Sequence, residues 1–157
     1  MRILLLVIPF ILFILCVSAV LPQERAFFIA RLHYEGGGDW YGNPTSLPNL
    51  LTQLRERLNM NTALEETKVK PSSQDLFQYP IIYMNGHGTV KFSAADAQNL
   101  RIYLERGGFL WADDNYGMDE SFRKEIAQIF PDEPLRPIPH DHPVFSIYYK
   151  LDRKSVV

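Results

Sequence analysis

The chain has 157 residues, of which 46% are apolar and 13% aromatic, with 16 Lys and Arg against 18 Asp and Glu. That balance is enough apolar surface for one folded core and leaves no basic face for nucleic acid. Cys16 is the only cysteine and sits in an apolar leader, so a chain processed after that leader holds neither a disulfide nor a thiol nucleophile.

The leader, "MRILLLVIPFILFILCVSAV", places Arg2 before a long apolar run and ends at Val17-Ser18-Ala19, the small-residue pattern of a signal peptidase site. It is read as a signal peptide over residues 1–19, with the mature chain starting at Val20. An uncleaved membrane anchor is the alternative, since Ile3 to Leu21 is just long enough to span a bilayer, although Pro9 interrupts it. Either reading exports the rest to the periplasm or the outer side of the cytoplasmic membrane, with membrane contact only through this segment if it stays uncleaved. Phe13-Ile14-Leu15 before Cys16 lacks the small residues of a lipoprotein site.

Strand-like and helix-like signals then alternate. "AFFIARLHY" (Ala26 to Tyr34) is rich in aromatic and β-branched residues and reads as a first strand ended by Gly36-Gly37-Gly38. Ser46 is placed to cap a helix whose leucines, Leu47, Leu50, Leu51, Leu54 and Leu58, recur every three or four residues, with Pro48 in the first turn. "TKVK" (Thr67 to Lys70) predicts a short strand. "YPIIYMNGHG" (Tyr79 to Gly88) has the unbroken apolar character of a buried parallel strand. Ser93 and Asp96 form a capping box for a helix through Leu104, stopped by Gly107-Gly108. "GFLWADDN" is the next strand and "DESFRKEIAQIF" the next helix, with Phe122, Ile126 and Ile129 on one face. "PLRPIPHDHPVFSIYYKL" is punctuated by prolines and then strand-like.

This order predicts a single α/β domain over residues 26–150, a doubly wound and mostly parallel sheet of the flavodoxin type. Ligands of such sheets bind beyond the carboxyl ends of the strands, where strand order reverses. His33, Gly37, His87 and Asp113 all follow or end strands, so the polar segments are expected to gather on one rim. Three glycines in a row are costly to order, so the loop after the first strand must bend sharply or approach something closely, and the bend is expected to set Asp39 and Trp40 over the rim beside His87.

The blocks "RLHYEGGGDWYGNPTSLPNLL", "YMNGHGTVKFSAADAQNLRIYLERGGFLWADDNYGMDESFRKEI" and "PHDHPVF" closely resemble the bacterial domain of unknown function family 4159, over essentially all of Ala26 to about Tyr149. That family is distantly similar to class I glutamine amidotransferase-like folds, including the trehalose-utilisation type, which also carry a Gly-His pair after a strand and a late His-Pro. The resemblance implies a fold and no reaction. Family members usually run several dozen residues further, so it also implies a C-terminally truncated member that lacks part of the site.

Amidotransferases place a nucleophilic cysteine on a tight turn after a strand. Here that kind of turn is Asn85-Gly86-His87-Gly88, with no Cys or Ser at its apex, which excludes cysteine-dependent glutamine hydrolysis. Ser93 lies nearby, but the capping box accounts for it. His87, flanked by glycines, is the candidate catalytic base, ligand or hydrogen-bond donor, or else a brace for the neighbouring loop. Asp113 is the candidate catalytic carboxylate beside it. Asp113 and Asp114 alternate sides if the strand continues, so one of the two is expected to cap the following helix or tie down the glycine loop. Asp39, Trp40 and Tyr41 set a carboxylate beside two aromatic faces, which suits a sugar ring; the alternative is that the two rings fold back over the sheet end. Gly36, Gly37, Gly38, Asn85, Asp114 and Asn115 complete the expected ligand-binding rim. His140 and His142 offer one or two metal ligands or simply a rigid turn between Pro139 and Pro143. No cofactor is identifiable.

Two functions from different classes fit. One is a binding or assembly module of the bacterial cell envelope, which holds a glycan, a peptide or another envelope protein at the rim. The other is a hydrolase-like enzyme that uses His87 and a carboxylate, with or without a metal, on a carbohydrate-related substrate.

Overall fold

The computed structural model describes residues 26–147, so the signal peptide or anchor, the start at Val20 and residues 148–157 lie outside the described residues. Within them the elements run β1 (Ile29–Leu32), α1 (Ser46–Leu58), β2 (Thr67–Val69), a 3-10 turn (Gln74–Gln78), β3 (Ile81–His87), α2 (Ala94–Glu105), β4 (Phe109–Tyr116), α3 (Asp119–Ile129) and a last 3-10 turn (Pro143–Phe145). The four strands pair in parallel in the order β2-β1-β3-β4. Ala30 lies opposite Thr67 on one side and Ile82 on the other, and Ile82 lies opposite Leu110. This is a doubly wound α/β fold whose strand order matches the first four places of the flavodoxin-like arrangement. Its order reverses between β1 and β3.

Strand alternation sorts the core into two layers. Ala30, Leu32, Ile82 and Met84 point to the face covered by α2 and α3, where they meet Leu100, Tyr103, Ile126 and Ile129. Ile29 and Tyr83 point to the other face, against Leu47 and Leu51 of α1. β3 is buried at five consecutive positions from Ile82 to Gly86, which explains its unbroken apolar sequence. The α2 capping box forms as expected: Ser93 Oγ accepts from the Asp96 amide at 3.2 Å, and Asp96 Oδ2 accepts from the Ser93 amide at 3.0 Å. Ser93 is therefore a helix cap.

Two expectations are corrected. β1 is shorter than Ala26 to Tyr34, because Phe27 makes only an isolated bridge to Thr62 and the chain turns into the glycine loop directly after Tyr34. Ser46 does not cap α1. The helix starts at Ser46 itself, preceded by Thr45 with no side-chain cap, and Ser46 Oγ accepts instead from Arg31 Nη2 at 3.3 Å. The strand-like end of the Pro-rich tail falls largely outside the described residues, and the described part before it closes on a 3-10 turn at Pro143–Phe145.

Candidate functional site

The glycine loop is spent on a close backbone approach. From Glu35 it runs antiparallel beside the segment that follows β3: Glu35 O accepts from the Lys91 amide at 2.7 Å, and the Gly38 amide donates to Thr89 O at 3.0 Å. A Cβ on Gly36 would lie 2.7 Å from Lys91 N and 2.8 Å from Thr89 O, so a side chain there has no room. Gly37 differs. Its φ of +88° favours glycine, but a Cβ would meet nothing within 4 Å. We expect Gly37→Ala to cost about 1 kcal/mol for the left-handed backbone alone. Gly36→Ala, at φ +111°, should cost about 2–3 kcal/mol because the Lys91 backbone must also move. Urea unfolding of the two variants checks the ranking.

The far side of the loop is clamped by Arg31, which sequence reading passed over as an ordinary strand residue. It is fully buried. Its guanidinium donates to Glu66 Oε2 (2.9 Å from Nε), to the carbonyls of Gly42 (2.9 Å) and Asn43 (3.2 Å), and to Asn85 Oδ1. Asn85 Nδ2 donates to Gly42 O at 3.0 Å. Asn85, expected to bind ligand at the rim, is thus fully buried and bonded at both ends of its amide. It belongs to the scaffold. A charged residue inside the strand "IARL" was the one available signal, since an Arg there is tolerated only when paired.

Held from both sides, the loop delivers Asp39 to His87. Asp39 Oδ2 lies 2.9 Å from His87 Nδ1, Asp39 Oδ1 accepts from the His87 backbone amide, and the Asp39 amide donates to His87 O at 3.3 Å. A carboxylate can only accept, so Nδ1 carries a hydrogen, and in the neutral ring Nε2 presents its lone pair. The imidazole is 58% exposed, and Nε2 has no hydrogen-bond partner among the described residues. The backbone and side-chain hydrogen bonds from His87, in that order, hold the Asp39 carboxyl below its usual range. Beneath the pair, the buried Tyr34 hydroxyl donates to Asn85 O at 3.0 Å. Burial first, then the nearby Asp39 and Asp114 charges, push that hydroxyl up to about 12, so it remains a donor at any physiological pH.

Asp113 does not reach this pair. Its Oδ2 accepts from the Tyr83 hydroxyl at 3.2 Å, so the carboxylate that serves His87 is Asp39. Asp114 points to the opposite side and accepts from the Met118 and Asp119 amides at 2.9 and 3.0 Å, capping α3 as one of the two aspartates was expected to do. Asn115 Oδ1 accepts from Asn43 Nδ2 at 3.1 Å, which ties the glycine loop to the end of β4. Its Nδ2 is buried without a partner among the described residues, a rare and costly condition. Trp40 folds back: it stacks on His33 at 4.0 Å, with Lys68 Nζ 5.6 Å from its ring. Tyr41 stays 63% exposed, and Tyr116, opposite His87 in the ladder, 81%. In the tail, His142 Nδ1 accepts from the Val144 amide at 3.2 Å and braces the turn. Among the described residues no three His, Cys, Asp or Glu side chains gather to hold a metal, and no helix is long and apolar enough to cross a membrane.

The rim is therefore an open surface with the Asp39–His87 pair at the β1/β3 reversal, where doubly wound folds place their ligands. A family model described as a domain of unknown function (DUF4159) matches residues 28–156. The chain belongs to that family. No curated protein matches it. The match spans every element described above, from β1 to the turn at Pro143, so the glycine loop, the His87 turn and the His-Pro segment all lie within the DUF4159 region.

Proposed function

We propose that this DUF4159 protein is an exported module of the cell envelope that holds a glycan, peptide or protein partner on the carboxyl edge of its sheet, with His87 at the centre of the contact. One observation carries the reading: an exposed imidazole whose ring orientation and tautomer are held by Asp39, with Nε2 unpaired among the described residues. A surface histidine needs no such support unless its ring must point one way. Tyr41 and Tyr116 supply exposed rings on the same edge, apolar faces with a polar tip of the kind that interfaces and sugar sites use.

The test separates the ligand from the fold. His87→Ala should keep its melting temperature within a few degrees of wild type and lose retention on immobilised envelope glycans and peptides. Asp39→Asn still accepts from the His87 amide, but its Nδ2 donates to Nδ1 and moves the ring hydrogen to Nε2, so it should lose retention too. A destabilised His87→Ala protein with unchanged retention overturns the reading. Asp39 also predicts a pH dependence. Its folded pKa lies below the unfolded one, so its stabilisation is complete above about pH 4 and fades as pH falls through the folded value. Asp39→Asn should remove that slope from acid unfolding curves.

The same pair favours one second reading, a hydrolase-like enzyme on a carbohydrate-related substrate, because a carboxylate on Nδ1 is what an imidazole base needs. The base would act on water. Turnover of chromogenic glycosides or esters by wild type, absent from His87→Ala, would select this reading over binding alone.

A further inference from the structure

A cavity lies away from the rim. It measures about 390 Å³ and opens at the amino edge of the sheet, where Pro80 leads into β3 and Gly108 into β4. Its size falls in the range of small-molecule sites, about 300–1,000 Å³. Its walls are the rings of Phe77, Tyr79 and Tyr103. Phe77 and Tyr103 lie with centroids 6.5 Å apart and their planes tilted by 58°, and Phe28 braces Tyr79 edge-on at 5.6 Å.

The polar groups in the lining are almost all spent. The Tyr103 hydroxyl donates to Tyr79 O at 3.0 Å and accepts from the Phe109 amide at 3.2 Å. Gln78 Nε2 donates to Asp75 Oδ1 at 2.7 Å, and the Gly107 and Gly108 amides close the end of α2 on Leu104 O and Tyr103 O. One group remains. Arg106 is the only charged residue lining the cavity, and its guanidinium lies 5.4 Å from the Phe77 ring centroid. No carboxylate pairs with it among the described residues, since its neighbour Glu105 is taken by Arg101 at 2.8 Å.

We infer that this cavity binds a small monocarboxylic acid with an aromatic or short acyl body, its carboxylate on Arg106 and its body against the Phe77 and Tyr103 rings. A guanidinium fork matches a carboxylate in plane and in charge. A cationic ligand would meet the Arg106 charge, and a phosphate dianion would lack the second cation that it needs. The site is independent of His87 and of the reading of the rim.

Phenylacetate, benzyl alcohol and benzylamine titrated calorimetrically into the folded protein test it. Phenylacetate should saturate a single site, with the alcohol at least tenfold weaker and the amine silent. Its binding should shift the amide resonances of Gly107 and Gly108 and leave that of His87 in place. Arg106→Gln should bind phenylacetate about ten- to a hundredfold more weakly, the worth of one charged hydrogen-bonded contact, while Lys124→Gln, which removes a distant surface cation, should bind as wild type does. Equal affinity for acid and alcohol, unweakened binding by Arg106→Gln, or no saturable phenylacetate binding with still Gly107 and Gly108 resonances would each overturn the inference.

Discussion

Replacing Arg31 by Met is expected to destabilise the domain by about 3–5 kcal/mol, the usual cost of breaking a buried ion pair from one side. The guanidinium joins four parts of the chain: β1, Glu66 ahead of β2, Asn85 in β3 and the carbonyls of the 40–43 loop. Glu66 Oε2 receives both Nε, at 2.9 Å, and Nη2, at 2.8 Å. Met fills much of the same volume, so the loss is mostly the desolvated carboxylate, amide and carbonyls left behind. Against a total stability of about 5–15 kcal/mol, that is a large fraction. Arg31→Lys should rescue little, because a single ammonium cannot span Glu66, Asn85 and the loop carbonyls together. Arg31→Met with Glu66→Gln should recover part of the loss, since removing both charges is cheaper than stranding one. Urea denaturation measures all three. A single-variant loss under about 1 kcal/mol would show the cluster to be ornamental to the fold.

Gly86→Ala should produce the next largest loss. Gly86 has φ +154°, and a Cβ there would overlap the Tyr34 hydroxyl and lie 3.0 Å from Asp39 Oδ1. Tyr34 is 2% exposed and anchored to Asn85 O, so it cannot swing away. Overpacking of about 1–3 kcal/mol joins a backbone cost of about 1–3 kcal/mol, and the variant should lose about 2–6 kcal/mol in all. It should also separate Asp39 from His87, because the same methyl group would press on the carboxylate that orients the ring. On a Tyr34→Phe background the added cost should fall, since the overlapping oxygen is gone. Two additive losses in that double-variant cycle would contradict the contact assigned here.

These two positions show where sequence reading stopped. His87 was legible as a candidate because glycines flank it after a strand, and Asp39 because it follows three glycines. That the glycine turn brings Asp39 beside His87 was legible too; the bond from Nδ1 to Asp39 Oδ2, and Asp39 rather than Asp113 as the carboxylate on the ring, were not. Asp113 lies at the end of a neighbouring strand and looked the nearer carboxylate, yet alternation along β4 turns it to Tyr83 and turns Asp114 to the start of α3. Asn85 reads as a polar rim residue in "YMNGHG", and only the packing of β1 against β3 shows that its amide is consumed by Arg31 and Gly42.

The sequence by itself determined the element order, the Ser93–Asp96 cap, the stop at Gly107-Gly108 and the clustering of polar turns at the carboxyl ends of the strands. Each is set by periodicity, capping or backbone freedom within about a dozen neighbouring residues, which a linear reading can see. The strand order, the burial of Arg31 and the bond that fixes the His87 ring on Asp39 were decided by tertiary structure alone. Their contacts join residues 48 and 54 positions apart, and at such separations the partner is selected by sheet register and desolvation rather than by any local pattern.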